Sequence, residues 1–287
     1  MDGLALGYAA LRGNSRWQAI RHPIRGGRAK MSEHVRIENS GSVRAITLAR
    51  PERRNAITIA MYAALAEAVG NAQNDPSLRL ITLSGEGEDF TAGNDLADFM
   101  AAMPRDGEEI AVWRLLRALA DNELPLIAAV HGNAIGIGTT LLLHCDLVLA
   151  EEGTRFSLPF VDLGLVPEAA SSLLLPRLAG RRRAARYLLL GEPFDADEGY
   201  EWGLVSKVVP RGGLDAAMAD TVSALLAKPA AALRLTQKLL RHGSRDEIHE
   251  RFKLENGHFA ERLESAEVKE AITAFFEKRK PDFSGLG

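Results

Sequence analysis

Short apolar runs that stop at a glycine and then give way to an amphipathic stretch recur through the first two thirds of this chain, and then cease. Leu78 to Leu83 is one such run, ending at Gly85; Leu126 to Val130 is another, ending at Gly132; Leu147 to Ala150 is a third. Runs this short and this apolar read as strands buried on both faces, which require helices above and below them. Ahead of them, Val35 and Ile37, the turn cluster Asn39-Ser40-Gly41-Ser42 and then Val43 to Leu48 read as a β-hairpin ended by Pro51. Residues 58–72 place Met61, Leu65, Val69 and Ala72 at helical spacing. Val205 to Val209 closes the strand series, and the alternation implies right-handed ββα or βαβ units around a buried sheet. After Gly213 the texture changes: 214–227, 230–242, 246–263 and 266–278 all read as helices. The chain is therefore predicted to be α/β, a core of about 180 residues followed by a helical region of about 75. That helical region must bury its apolar stripe either on its own core or on a neighbouring subunit.

Composition narrows the function classes. A net charge of −3 in 287 residues, with 46% hydrophobic and 25% charged residues, excludes a disordered chain, a collagen and a coiled coil. It also gives no electrostatic reason to expect nucleic acid. Cys145 is the single cysteine, so neither an intrachain disulfide nor a thiolate metal cage can form, and a reducing, cytoplasmic setting fits. No apolar run approaches the ~18 residues of a membrane span. Residues 1–30 carry Arg12, Arg16, Arg21, Arg25, Arg28 and Lys30 against the lone acid Asp2. With one serine and no basic start before Leu4 to Leu11, they make a poor transit or secretory signal. They read as a flexible extension, with Met31 as a natural start. The closing Ser284-Gly285-Leu286-Gly287 carries no receptor-read address.

Two glycine-containing loops follow strands and open helices: residues 85–95 and residues 131–138. Each presents free backbone N–H groups at a helix start, where negative charge is favoured. Two such loops brought together would hold a developing oxyanion. The second loop is not a dinucleotide fingerprint, because Gly136-Ile137-Gly138 runs on into Thr139, Thr140 and Leu141. There is no Walker lysine. His131 and His144 flank the second loop and read as packed or hydrogen-bonded core histidines. No group of His, Asp, Glu and Cys has metal-ligand spacing, so no metal is predicted. Ser171 and Ser172 lack a paired base and are not expected to be nucleophiles.

Taken together, "RPERRNAI" (50–57), "GEGEDFTAGNDLADF" (85–99), "LPLIAAVHGNAIGIG" (124–138), "HCDLVLA" (144–150), "GLVPEAASSLLLPRLAG" (164–180), "EWGLVSKVVP" (201–210) and "AFFEKRKPDF" (274–283) resemble the crotonase superfamily, the enoyl-CoA hydratase/isomerase fold. The resemblance covers 33–284 and implies a spiral of ββα units with a C-terminal helical region. It divides the chain into an extension (1–32), a core holding the active site (33–226) and a helical oligomerisation or lid region (227–287). It implies an acyl-CoA thioester as substrate, with coenzyme A part of that substrate and no separate cofactor. It also implies a homotrimer or a dimer of trimers.

Position by position, the resemblance implies that the oxyanion-hole amides belong to Asn94 and Ile137. From the residues alone, Asn94 reads as a turn residue with Asp95 as helix N-cap. Isoleucine stands at 137 where the family commonly has glycine, which asks for backbone angles that a β-branched residue accepts and narrows the space nearby. The two glutamates typical of the family's hydratases are replaced by Thr140 and Phe160. The "PE…SS" segment resembles the peroxisomal-type Δ3,Δ2-enoyl-CoA isomerases, whose base matches Glu168. The same residue also reads as a first-turn helix acid after Pro167. An apolar wall, with Phe160 and Leu165 as candidates, would raise its pKa. Asp162 reads as a loop carboxylate. Arg53, Arg54, Ala92, Asp95 and Lys278 are the expected coenzyme A contacts. The segment 96–123, with Phe99, Met100, Met103, Trp113, Leu115 and Leu116, is expected to shape the acyl pocket, although such a stripe also reads as core. The leading expectation is an isomerase that shifts a double bond from 3-enoyl-CoA to 2-enoyl-CoA. The alternatives are a hydratase using an acid such as Asp162 and a non-catalytic acyl-CoA-binding member.

Overall fold

In the computed structural model the hairpin forms as β1 (Val35–Ser40) and β2 (Val43–Leu48), paired antiparallel from Val35↔Leu48 to Ser40↔Val43. The structure describes residues 32–101 and 111–286, all within one compact unit, 31–287. The extension expected over residues 1–30, the expected pocket residue Met103 and the side chains of Phe99 and Met100 lie outside the described residues. Helix α1 (Ile59–Ala72), whose first turn is capped by the Thr58 hydroxyl accepting from Met61 N, carries the chain from β2 to β3 (Leu80–Gly85). This crossover sets β3 parallel to β2, in register Val43↔Leu80.

Helices α2 (Leu96–Ala101) and α3 (Ala111–Asp121) precede β4 (Leu126–Val130), which is buried along its whole length. β6 (Leu147–Glu151) and β9 (Lys207–Val209) complete a six-stranded sheet of order β1-β2-β3-β4-β6-β9, parallel from β2 onward. α1 and α3 pack together over it: Leu65, Val69, Leu115 and Leu119 meet Ile46, Leu83 and Leu126 around a residual space of only about 20 Å³. That is roughly one water probe, so this layer is filled. Leu115 and Leu116 belong to the core cluster, and Trp113 packs against it.

A second sheet escapes the periodicity: β5 (Asn133–Ile135), β7 (Arg155–Ser157) and β8 (Phe194–Asp195), in the order β5-β7-β8. Strands of two or three residues are too short to show alternation. The helix that the second loop opens is split, with α4 (Ile137–Thr140) running into a 3-10 turn, Leu141–His144. Beyond lie α5 (Ser171–Ala179), α6 (Arg181–Leu189) and α7 (Ala196–Glu201).

The tail forms α8 (Leu214–Leu226), α9 (Ala230–Arg241), α10 (Arg245–Leu263) and α11 (Ala266–Glu277). Of the two placements left open by the sequence, α9 and α10 take the first and return to their own core. Arg241 of α9 donates to Leu119 O at 2.8 Å and to His144 O at 2.7 Å. On α10, Ile248 and Phe252 enter the core cluster, and His249 Nε2 meets Asp121 Oδ1 at 2.9 Å. No helix among the described residues is long and apolar enough to cross a membrane. The loops after β3 and β4 leave the carboxyl ends of adjacent parallel strands, where open α/β sheets place their ligands.

Candidate active site

The two glycine loops are joined by backbone pairing. Phe90 N donates to His131 O (2.9 Å), Thr91 N to Asn133 O (3.0 Å) and Ile135 N to Thr91 O (3.1 Å). The buried carboxylate of Asp89 reinforces the join by accepting from Asn133 N at 2.9 Å and from Asn133 Nδ2 at 2.5 Å. Gly93, at φ +89°, runs so close that a Cβ there would stand 2.8 Å from Ile135 O. On its other side the first loop is held by Ile57, which donates to Gly93 O (2.8 Å) and accepts from Asp95 N (3.0 Å). Successive groups of an extended chain point to opposite sides, so the Asn94 N–H faces away from Ile57.

Ile137 opens α4. Thr139 N and Thr140 N both turn back to Gly136 O. Gly136 takes a positive φ (56°) with ψ −117°, angles that suit glycine, so the turn is made there and Ile137 keeps helical angles. Its side chain is buried in the core cluster. No acceptor among the described residues pairs with the N–H of Asn94 or of Ile137. Two unspent donors thus sit on two segments that the structure zips together.

Glu168 lies in the turn that enters α5. Its side chain is 5% exposed, and Oε1 has no hydrogen-bond partner among the described residues. Burial, with Glu255 of α10 adding its like charge, pushes the Glu168 carboxyl up to about 8. The Tyr62 hydroxyl, from α1, donates to Asn94 Oδ1. The Tyr62 phenol is itself raised well above its ordinary value, by burial first and then by the Glu168 charge. Tyr62 thus touches the first loop and feels the charge of the acid. Sequence reasoning missed Tyr62; the signal was a tyrosine one position off the Met61–Leu65–Val69 stripe, whose buried hydroxyl needs a partner.

The other predicted positions fall as follows. Thr140 and Phe160, which stand where the resemblance places the hydratases' glutamates, are both buried. Leu165 is half-buried, and its N–H donates to Phe160 O at 2.8 Å. Asp162 sits exposed on the 3-10 turn Val161–Leu163. Arg53 and Arg54 are exposed beside the first loop; Arg54 O accepts from Ala92 N (2.9 Å), and Arg54 Nε lies 3.7 Å from Asp89 Oδ2. Asp95 is the N-cap of α2: Oδ1 accepts from Asp98 N at 3.1 Å while Oδ2 takes Arg50 Nη1 at 2.7 Å. Its oxygens are thus engaged in holding the loop. Lys278 is exposed at the left-handed end of α11, outside the hydrogen bonds that tie Arg54, Ala92 and Asp95 to the loops. His144 is buried and held near 4, chiefly by burial, so its ring is neutral, and Nε2 sits 2.9 Å from Ala169 O.

Comparison with known proteins agrees with this architecture. The sequence model of the enoyl-CoA hydratase/isomerase family matches residues 38–286. The chain is 34% identical over 265 residues to the 1,2-epoxyphenylacetyl-CoA isomerase of Escherichia coli K12, covering 89% of this chain and 100% of the relative. It is 32% identical to enoyl-CoA delta isomerase 2 of Rattus norvegicus, covering 89% of this chain and 66% of that protein. A crystal structure of an enoyl-CoA hydratase/isomerase from Pseudoalteromonas atlantica T6c superposes with a TM-score of 0.83 at 39% identity, covering 88% of this chain and 100% of the other. Further relatives are named as hydratases and as dehalogenases. With loops, sheet and sequence in agreement over nearly the whole described length, the chain belongs to the enoyl-CoA hydratase/isomerase family, within the crotonase superfamily.

Proposed function

We propose that this protein moves the double bond of a 3-enoyl-CoA to the 2-position, with Glu168 as the sole proton carrier. The observation behind this reading is a buried carboxylate, Glu168, with an unpartnered oxygen and a pKa pushed up to about 8, in a chain that holds Thr140 and Phe160 where the resemblance places the hydratases' glutamates. The ionised carboxylate takes a proton from C2, and the C3=C4 pair shifts to C2=C3. The same group, now protonated, returns that proton to C4. One proton moves and nothing is gained or lost. The negative charge that develops on the thioester oxygen is met by the N–H groups of Asn94 and Ile137. A pKa near the working pH suits a group that must both take and give a proton. Hydration would need a second group to activate water, and Asp162 is exposed rather than held in a buried site.

Product analysis tests the reading. The purified protein is expected to convert 3-enoyl-CoA to 2-enoyl-CoA and to form no 3-hydroxyacyl-CoA from 2-enoyl-CoA. Hydration without isomerisation would contradict it.

A further inference from the structure

The turn that carries Glu168 is built in an unusual way. Ala169 and Ala170 have φ of 60° and 55°, two consecutive left-handed residues, neither of them glycine. L residues seldom adopt this conformation even singly. It persists only where surrounding contacts over-determine it. Ala170 is also the N-cap of α5 and has no side chain with which to cap it.

The missing contacts come from a helix 85 residues further along. Glu255 of α10 is 5% exposed, and its carboxylate spends itself on this turn. Oε2 accepts from Ala170 N at 2.6 Å; Oε1 accepts from Ser172 N at 3.0 Å and from Ser172 Oγ at 2.5 Å. Arg251 Nη1, one turn earlier on α10, donates to Ser172 Oγ at 3.1 Å. From the 3-10 turn Leu141–His144, His144 grips Ala169 O. A carbonyl only accepts, so Nε2 of the neutral ring carries the proton. A negative charge at a helix start is favoured twice, by the free N–H groups and by the helix dipole.

We infer that Glu255 is a positioning residue for the reaction: its carboxylate locks the doubly left-handed turn that aims Glu168, so the C-terminal helix α10 takes part in the chemistry. This rests on the assignment of Glu168 as the base. Glu255 has an electrostatic effect as well. The groups facing Glu168 are Tyr62 from α1, Glu255 from α10 and, through the turn, His144 from the 3-10 segment, with Arg251 acting on Glu255. The phenol and the imidazole are neutral, so the charge acting most directly on Glu168 is that of Glu255. The two carboxylates titrate as a pair. Burial raises the Glu255 carboxyl above its ordinary range, and its three donors and Arg251 oppose that rise; Glu168, with an oxygen unpartnered, is the one of the pair that keeps the proton.

The test compares Glu255→Gln, Glu255→Asp and Glu168→Gln in the full chain. Glutamine offers one acceptor and turns an NH2 toward backbone donors. E255Q is expected to lower kcat by about 10- to 100-fold, the cost of a misaimed group, with KM little changed. With the negative charge gone, the acidic limb of its kcat/KM profile moves to lower pH. E255D keeps the charge on a shorter arm: kcat falls and the limb stays in place. Wild-type kcat in E255Q, or a fall in kcat with an unmoved limb, would overturn the inference; a merely structural residue would lower stability and leave the limb where it was. If E255Q does not fold, wild-type kcat in E255D overturns it alone. Turnover surviving in E168Q would instead refute the base assignment on which the inference stands.

Discussion

Glu168 is a carboxyl group placed where its charge is disfavoured, and that has a consequence for stability. Its folded pKa, about 8, lies above the ordinary 4.5, so the native state holds a proton between these values that the unfolded chain has lost. Stability from this group is complete below pH 4.5 and is lost as pH rises through 8. Glutamine at 168 mimics the protonated form and carries no such loss. The Tm of E168Q is therefore expected to exceed that of the wild type by an amount that grows from pH 5 to pH 9. His144 works in the other direction and at lower pH, from 6.5 down to about 4. It is present in both proteins and cancels in the comparison. A Tm difference independent of pH would mean that Glu168 is not buried with its proton. Glu168, Asn94 and Ile137 stand out in the sequence only through the motifs that resemble the family; from the residues alone Asn94 reads as a turn residue and Glu168 as a first-turn helix acid. Tyr62 and Glu255 do not stand out, because their partners lie 32 and 85 residues away. Glu255 left one trace: it shares a helix face with the buried Ile248 and Phe252, a charge on an apolar stripe.

The elements explain how two backbone donors come to be free. β3 and β4 run parallel and adjacent, so their following loops emerge side by side; Thr91, Asn133 and Ile135 then pair across them. α4 starts directly after Gly136, leaving the N–H of its first residue without an internal partner. Proline at this first helical position keeps helical angles and deletes only that N–H. Ile137→Pro is expected to lower kcat by about 10²- to 10³-fold, the usual cost of losing one oxyanion donor. Ile137→Ala, which loses the buried side chain but keeps the donor, isolates the hydrogen-bond effect. Equal kcat in the two variants would remove Ile137 from the site. The large sheet and the four tail helices were readable from apolar runs and helical spacing. The β5-β7-β8 sheet was not, since its strands show no period and exist only because the second loop, Phe156 and Phe194 meet in space.

At the scale of the molecule, the tail both closes over its own core and leaves apolar surface behind. Leu239 and Leu240 on α9 are each 73% exposed, and Phe275 and Phe276 on α11 about 60%. Exposed side chains of this size mark association surfaces when they cluster. We propose that they join copies of this chain into the trimer or dimer of trimers that its resemblance to the family implies. Sedimentation should then give three or six times the 31.1 kDa chain mass, and Leu239→Asp with Leu240→Asp should reduce it. A monomeric wild type would contradict this. The returning tail and the core histidine both grip the turn that carries the acid, and replacing that acid probes the proposed reaction most directly. Turnover of 3-enoyl-CoA and binding of the same ester are to be measured in Glu168→Gln. Loss of the group that carries the proton should lower kcat by about 10²- to 10⁴-fold while the ester still binds within a few-fold of wild type. Turnover close to wild type in E168Q would show that another group moves the proton.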